Sequence, residues 1–283
     1  MHTFRYNPVF RQWVLLGSPV ATPLEVTDAQ LLNIGRGTDL VAASYPRQPF
    51  ILDPGSKRPE SDQRLYSDEP AVGDYELFLY GGKKHFFEWQ AKQWEEWLVL
   101  AQHRIIQLHH NPHLHYVSLI LATSALDTVK GYQRVGDLVS TSHPVAGEIP
   151  LMTHELADKL LAKERSYIVH EGKHGSLRVP SAPLGEQEVW YVPTEYERGI
   201  EQMGAAGRKE CATVLAKLVS SLHTEFPRAQ YVLTVYTAMA SHKEETTWWI
   251  RISRENASAA DGAIGTRAFP EGFLRTLGMI LGS

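Results

Sequence analysis

Tyr75-Glu76-Leu77-Phe78-Leu79-Tyr80, followed by Gly81-Gly82, reads as a strand with a hard stop. The period then changes. Trp94, Trp97, Leu98, Ala101, Ile105 and Leu108 recur at three- and four-residue spacing, which predicts a helix with one apolar stripe. Asn111-Pro112 ends it, and Tyr116 to Ala122 is the next strand. The same order returns further along. Ser176-Leu-Arg-Val-Pro and Glu188-Val-Trp-Tyr-Val, closed by Pro193, are strands. Cys211, Val214, Leu215, Leu218 and Leu222 stripe a second helix, and Gln230 to Tyr236 and Thr247 to Ile252 are strands. Short strands with one helix in each half predict an α+β fold of two related modules with antiparallel sheets and packed helices, rather than a doubly wound sheet. A helical segment from Thr153 to Lys163 marks the join, giving an N-terminal module over 1–155 and a C-terminal module over 156–283.

The bulk properties narrow the class. The chain has 283 residues, 43% of them apolar, which suffices for a sizeable core. Its formal charge is −4 with no basic block, so no nucleic-acid partner is expected. A single cysteine, Cys211, leaves no disulfide framework and no thiolate zinc cluster. The stretch Met1-His-Thr-Phe-Arg-Tyr-Asn-Pro lacks a basic region followed by an apolar run, and no apolar stretch approaches the roughly 20 residues of a membrane helix. A cytoplasmic protein with no membrane partner is the expectation.

Elsewhere Trp13-Val-Leu-Leu is a short strand, ended by Gly17-Ser-Pro. Residues 44 to 74 are dense in Pro, Gly, Ser and Asp and read as a long loop. A glycine-containing stretch from Lys130 to Pro150 carries His143.

Several segments, in order, resemble the galactose-1-phosphate uridylyltransferase branch of the histidine-triad superfamily. Arg5-Tyr-Asn-Pro-Val-Phe-Arg-Gln-Trp-Val resembles that family's opening, and Gln48-Pro-Phe-Ile with Pro54-Gly55 resembles its Cys-Pro-Phe-Cys-Pro-Gly loop. Val179-Pro-Ser-Ala-Pro through Glu188-Val-Trp-Tyr-Val-Pro resembles the start of its second half, and Trp248-Trp-Ile-Arg-Ile-Ser-Arg its His-Trp-His-Ile-Glu strand. The match covers nearly the whole chain. The resemblance implies two histidine-triad-like half-barrel modules and nucleotidyl transfer by a ping-pong route. In that route a histidine of a His-Pro-His-x-Gln motif becomes nucleotidylated, and a second phosphate then takes the nucleotide. It also implies a nucleotide or sugar-phosphate ligand and a homodimer.

The motif itself is altered. The stretch is Gly136-Asp-Leu-Val-Ser-Thr-Ser-His143-Pro-Val-Ala-Gly-Glu-Ile-Pro150, and two registers fit. One matches Ser140, His143 and Pro144 to the family's Ser and His-Pro, which puts Val145 at the nucleophile. The other, counted from Gly136, puts His143 at the nucleophile, Thr141 at the first histidine and Val145 at the glutamine. In the first register valine has no nucleophilic atom and the family mechanism is dead; the second keeps the nucleophile but loses its neighbours. Two readings are therefore open: a transferase acting through His143, or a catalytically inactive binding protein of the same fold. The family's structural zinc is expected to be lost, because Gln48 and Ile51 replace the paired cysteines, although His85 could match the distal histidine. The second-half histidine pair is replaced by Thr247 and Trp249. No cofactor or metal is expected.

His143 is therefore the catalytic candidate, and Arg5, Arg11, Lys130, Arg134, Ser140 and Thr141 are the phosphate-binding candidates. Lys83 and Lys84 read as exposed turn lysines. His109, His110, His113 and His115 read as a solvated helix end, since no acidic or thiol ligand accompanies them. Cys211 reads as buried.

Overall fold

The computed structural model describes residues 3–7, 12–16, 31–33, 40–44, 51–52, 73–110, 116–122, 128–129, 132–141, 152–163, 165–181, 183, 187–195, 199–237, 246–254 and 270–282. The first half contributes β1 (Thr3–Asn7), β2 (Gln12–Leu16), β3 (Leu31–Asn33), β4 (Leu40–Ser44), β5 (Ile51–Leu52) and β6 (Gly73–Tyr80). Helix α1 (Ala91–His109) follows, then β7 (Tyr116–Ala122), β8 (Thr128–Val129) and β9 (Tyr132–Thr141). β10 (Met152–Thr153) and α2 (His154–Lys163) cross between the halves. The second half contributes β11 (Ile168–Glu171), β12 (Gly175–Arg178), β13 (Val189–Pro193), α3 (Ala205–Glu225), β14 (Tyr231–Tyr236), β15 (Thr246–Thr247), β16 (Trp249–Arg254) and α4 (Pro270–Gly282).

The halves repeat each other. An eleven-stranded sheet runs β11-β12-β13-β16-β14-β7-β9-β6-β4-β3, with β8 added to β9. Each half is a three-strand meander, a helix, a strand at the centre of the sheet, and a last strand inserted between the two. The halves join where β7 pairs antiparallel with β14, from Ser118 opposite Tyr236 to Ala122 opposite Val232. The mixed helix and antiparallel-sheet architecture agrees with the expected fold class.

The helical stripes cover one face of this sheet. All six predicted α1 positions and all five predicted α3 positions are buried, in a core shared with Phe78, Leu119, Leu138, Tyr191, Leu233 and Ile250. Two polar ties fix α1. Trp97 Nε1 donates to the Val135 carbonyl at 2.8 Å, where the β6–β9 register shifts. Arg104 grips Glu76 of β6, with Nε 2.7 Å from Oε2. Gln102 links the halves: its Nε2 donates to the carbonyls of Ile200 and Met203, both at 2.8 Å, and its Oε1 accepts from Arg208 at 2.9 Å. On α3, Glu210 accepts from the backbone N–H groups of Lys173, His174 and Gly175, pinning the β11–β12 turn. Cys211 is buried beside Tyr191, and burial pushes its thiol well above the usual range.

Part of the glycine-containing stretch from 130 to 150 is regular. Tyr132 to Thr141 form a strand flanked on both sides, with Val139 opposite both Tyr75 and Ser118. The glycine at 136 stands beside Phe78, where a Cβ would lie 3.2 Å from the Phe78 Cβ, so the residue suits a crowded strand rather than a turn.

Candidate functional site

The sheet's register locates the ends of the segment that carries His143. β9 ends at Thr141, which pairs with Tyr116 and with Gly73. The chain is next described at Met152, which pairs with Thr247. One row of Cα partners crosses the sheet between the two halves nearby: Val139, two residues before Thr141, then Ser118, Tyr236 and Trp249, two residues after Thr247. Three strand spacings, about 14 Å, separate its ends. The described residues on either side of 142–151 thus belong to different halves, Thr141 to the first and Met152, against β15, to the second.

On the second-half side the row meets an aromatic cluster on the face opposite α1 and α3. Trp249 stacks on Tyr236 at a centroid distance of 4.5 Å and meets Trp190 edge-on at 5.1 Å. Met152, Val192 and Ala157 of α2 complete this small core. Thr247 is 3% and Trp249 5% exposed, so the positions where the resemblance calls for a histidine pair are sealed. Ile51 on β5, where the resemblance calls for a zinc thiolate, has no donor atom at all. That residue does not fit the family's zinc, and among the described residues no group of three or more His, Cys, Asp or Glu side chains could hold a metal ion.

An ion pair lies one pleat further along, its carboxylate enclosed and its arginine partly exposed. Glu188 Oε2 accepts from Arg251 Nη2 at 2.9 Å, and Glu188 Oε1 accepts from Trp190 Nε1 at 2.6 Å. Burial opposes the charge on Arg251, but the Glu188 carboxylate outweighs it and raises the pKa, and the Tyr236 hydroxyl adds to the rise. The arginine thus stays charged. Long-range pairs of this kind leave no mark at fixed sequence spacing. The alternation in β13 and β16, which puts Glu188, Trp190, Trp249 and Arg251 on one face, is the signal that could have found them.

The candidates from the sequence are placed unevenly. His143, Arg11 and Lys130 lie outside the described residues. Arg5 is on β1, opposite Val14, in a three-stranded sheet with β2 and β5 that is separate from the large one. Ser140 and Thr141 are the last two residues of β9, directly before the motif segment. Arg134 is near the other end of the same strand, opposite Leu79, roughly 20 Å from Thr141 along extended backbone. Arg134 and Thr141 thus stand toward opposite ends of β9. His85, Lys83 and Lys84 are exposed on the turn after β6. His110 caps the end of α1, its Nδ1 2.7 Å from the Ile106 carbonyl, and His109 lies 3.8 Å from Glu201.

Comparison with solved structures decides the fold. An ADP-glucose phosphorylase from Arabidopsis thaliana, solved with bound ADP-glucose, superposes with a TM-score of 0.66 at 13% identity, over 98% of both chains. A uridylyltransferase structure gives 0.67 at 14% identity, over 100% of this chain and 99% of the other. The chain has the uridylyltransferase fold. A DUF4931 family protein from Bacillus cereus is a more distant match, with a TM-score of 0.52 at 10% identity, over 88% of this chain and 99% of that one. No family model matches the sequence, and no curated protein matches it either. No helix among the described residues is long and apolar enough to cross a membrane.

Proposed function

We propose that this chain is a divergent nucleotidyl or phosphate transferase that takes a nucleotide or sugar phosphate where the 142–151 segment runs between Thr141 and Met152. The observation that carries the reading is the anchoring of that segment. Thr141 is fixed on β9 of the first half and Met152 is paired with Thr247 of the second, in a fold that matches uridylyltransferase structures along the whole chain. In this reading His143 attacks the α-phosphorus of a nucleotide sugar through a neutral imidazole nitrogen. The N–P bond forms as the P–O bond to the departing sugar phosphate breaks, and a second phosphate later reverses the step. Backbone and hydroxyl donors at Ser140 and Thr141 take up charge on the phosphoryl oxygens. UDP-glucose and ADP-glucose are the first substrates to try, the second because the Arabidopsis relative was solved with it.

The test is incubation of the purified chain with either compound labelled at the α-phosphorus. Acid-labile label on the protein, absent from His143→Ala, supports transfer. No label on the wild-type chain at saturating substrate ends it.

A second reading is favoured by the sealed Thr247 and Trp249 positions: a non-catalytic binding protein of the same fold. It expects a thermal shift with nucleotide or sugar phosphate and no turnover, and turnover that depends on His143 excludes it. We further propose that the chain is cytoplasmic and homodimeric, which fractionation and sedimentation would test.

A further inference from the structure

Arg178, Trp190, Arg251 and Thr234 are Cα partners in one row across β12, β13, β16 and β14. Two strand spacings put the arginine Cα atoms about 10 Å apart, one on each side of the indole. Glu188 is fully enclosed, and both its oxygens are used, one by Trp190 Nε1 and one by Arg251 Nη2. This holds the indole and the guanidinium in fixed orientation. Arg178 is buried, but the Arg251 side chain keeps 23% exposure and Trp190 and Thr234 are half-buried, so this end of the row reaches solvent. The guanidinium is held by Glu188 and also bonded to the Tyr236 hydroxyl, which fixes its plane. A guanidinium presents its N–H groups as a planar fork that matches phosphate oxygens, and an indole offers a flat apolar surface to a sugar or base ring.

We propose that this row is a subsite for an organic phosphate monoester, with the phosphate on Arg251 and the attached ring against Trp190. The proposal rests on the reading that the ligand is a nucleotide or sugar phosphate. It adds a contact on the second half, three strands away from β9. Arg251 is the binding residue, Trp190 the platform, and Glu188 the positioning residue that orients both.

The test titrates the full chain with uridine monophosphate, glucose 1-phosphate and inorganic phosphate, followed by calorimetry and tryptophan emission. Both esters are expected to saturate, with inorganic phosphate at least about tenfold weaker, because it has no ring to stack. Tighter binding of the uridine ester assigns the ring to a nucleobase, and tighter binding of the glucose ester assigns it to a sugar; either supports the subsite. The double variant Glu188→Gln/Arg251→Met removes both charges together and strands neither. It is expected to keep its fold and lose about tenfold or more in ester affinity. Arg251→Lys keeps the charge against Glu188 but not the fork, and is expected to bind several-fold more weakly. Trp190→Phe is expected to abolish most of the emission change. Unchanged ester affinity in a folded double variant overturns the proposal, as does failure of the wild-type chain to saturate by about 10 mM, a limit that corresponds to roughly −3 kcal/mol. Ester binding through Arg251 with no label on His143 would sink the transfer reading and leave this one standing. Label on His143 with unchanged affinity in the double variant would sink this one alone.

Discussion

Removing Arg104 should damage the protein far more than removing Arg104 and Glu76 together. The Arg104 side chain is 10% and the Glu76 side chain 4% exposed, so both charges sit in the interior between α1 and β6. Glu76 is paired with Leu138 of β9 and Ser44 of β4 in the middle of the sheet, with no bulk water to take over if the arginine goes. Arg104→Leu therefore leaves an uncompensated buried carboxylate, at a cost of about 3–5 kcal/mol. That is a large share of a typical stability of about 5–15 kcal/mol. Glu76→Leu strands the guanidinium, at a similar cost softened by the Gln107 side chain, which also binds it. In the double variant both desolvation costs vanish, and the net change is expected within about 1–2 kcal/mol of zero. The assay is urea unfolding of the four proteins in a double-mutant cycle, reading midpoint shifts at constant slope. If the double variant loses as much as the sum of the singles, the two charges do not compensate each other and the reasoning is wrong. If Arg104→Leu costs under about 1 kcal/mol, the site is wetter than its burial says.

Further expectations are independent of that pair. Cys211 should react with an aromatic disulfide reagent only after unfolding, because burial keeps the thiol protonated; rapid reaction of the native protein at pH 8 would contradict this. The same raised pKa has a linkage sign. The unfolded thiol ionises above about pH 8.5 while the folded one does not, so stability should fall by up to about 1.4 kcal/mol per pH unit above that point. Cys211→Ala should flatten the slope, and an identical slope in the variant would refute the assignment. Glu210→Ala should cost about 2–4 kcal/mol and speed amide exchange at Lys173, His174 and Gly175, whose N–H groups it accepts from; unchanged exchange there would deny the carboxylate that role. Trp249→Ala should cost about 3–5 kcal/mol by opening a cavity between Trp190, Tyr236 and Met152, and a loss under about 1 kcal/mol would mean the cluster is loosely packed.

The two helices and most of the second-half strands are legible in the sequence because each shows its own period. Every stripe position from Trp94 to Leu108 and from Cys211 to Leu222 is buried as its spacing says. Three features are not legible, for different reasons. α4 carries Gly272 and Gly278, which lower helix propensity and break its pattern. β9 opens on Tyr132-Gln-Arg-Val-Gly-Asp, a run that reads as no more regular than a loop, and its register shift at Val135 disturbs the strict alternation that marks a strand. The Glu188–Arg251 pair joins residues far apart in the chain, and only strand pairing brings them together. The motif segment is the converse case. Its residue types and two possible registers can be read directly, while the anchors at Thr141 and Met152 emerge only from the sheet.

The β7–β14 junction bears on how the molecule comes apart. Severing the chain between the halves would bare two strand edges, Ser118 to Ala122 and Val232 to Tyr236, whose backbone groups now satisfy each other. Exposed edges recruit partners, so a half made alone would self-associate or aggregate rather than persist as a monomer. With Gln102 and Arg208 crossing the same boundary, neither repeat has a complete hydrogen-bond complement of its own. The two modules are thus expected to melt in one transition, as a single cooperative unit joined through its centre.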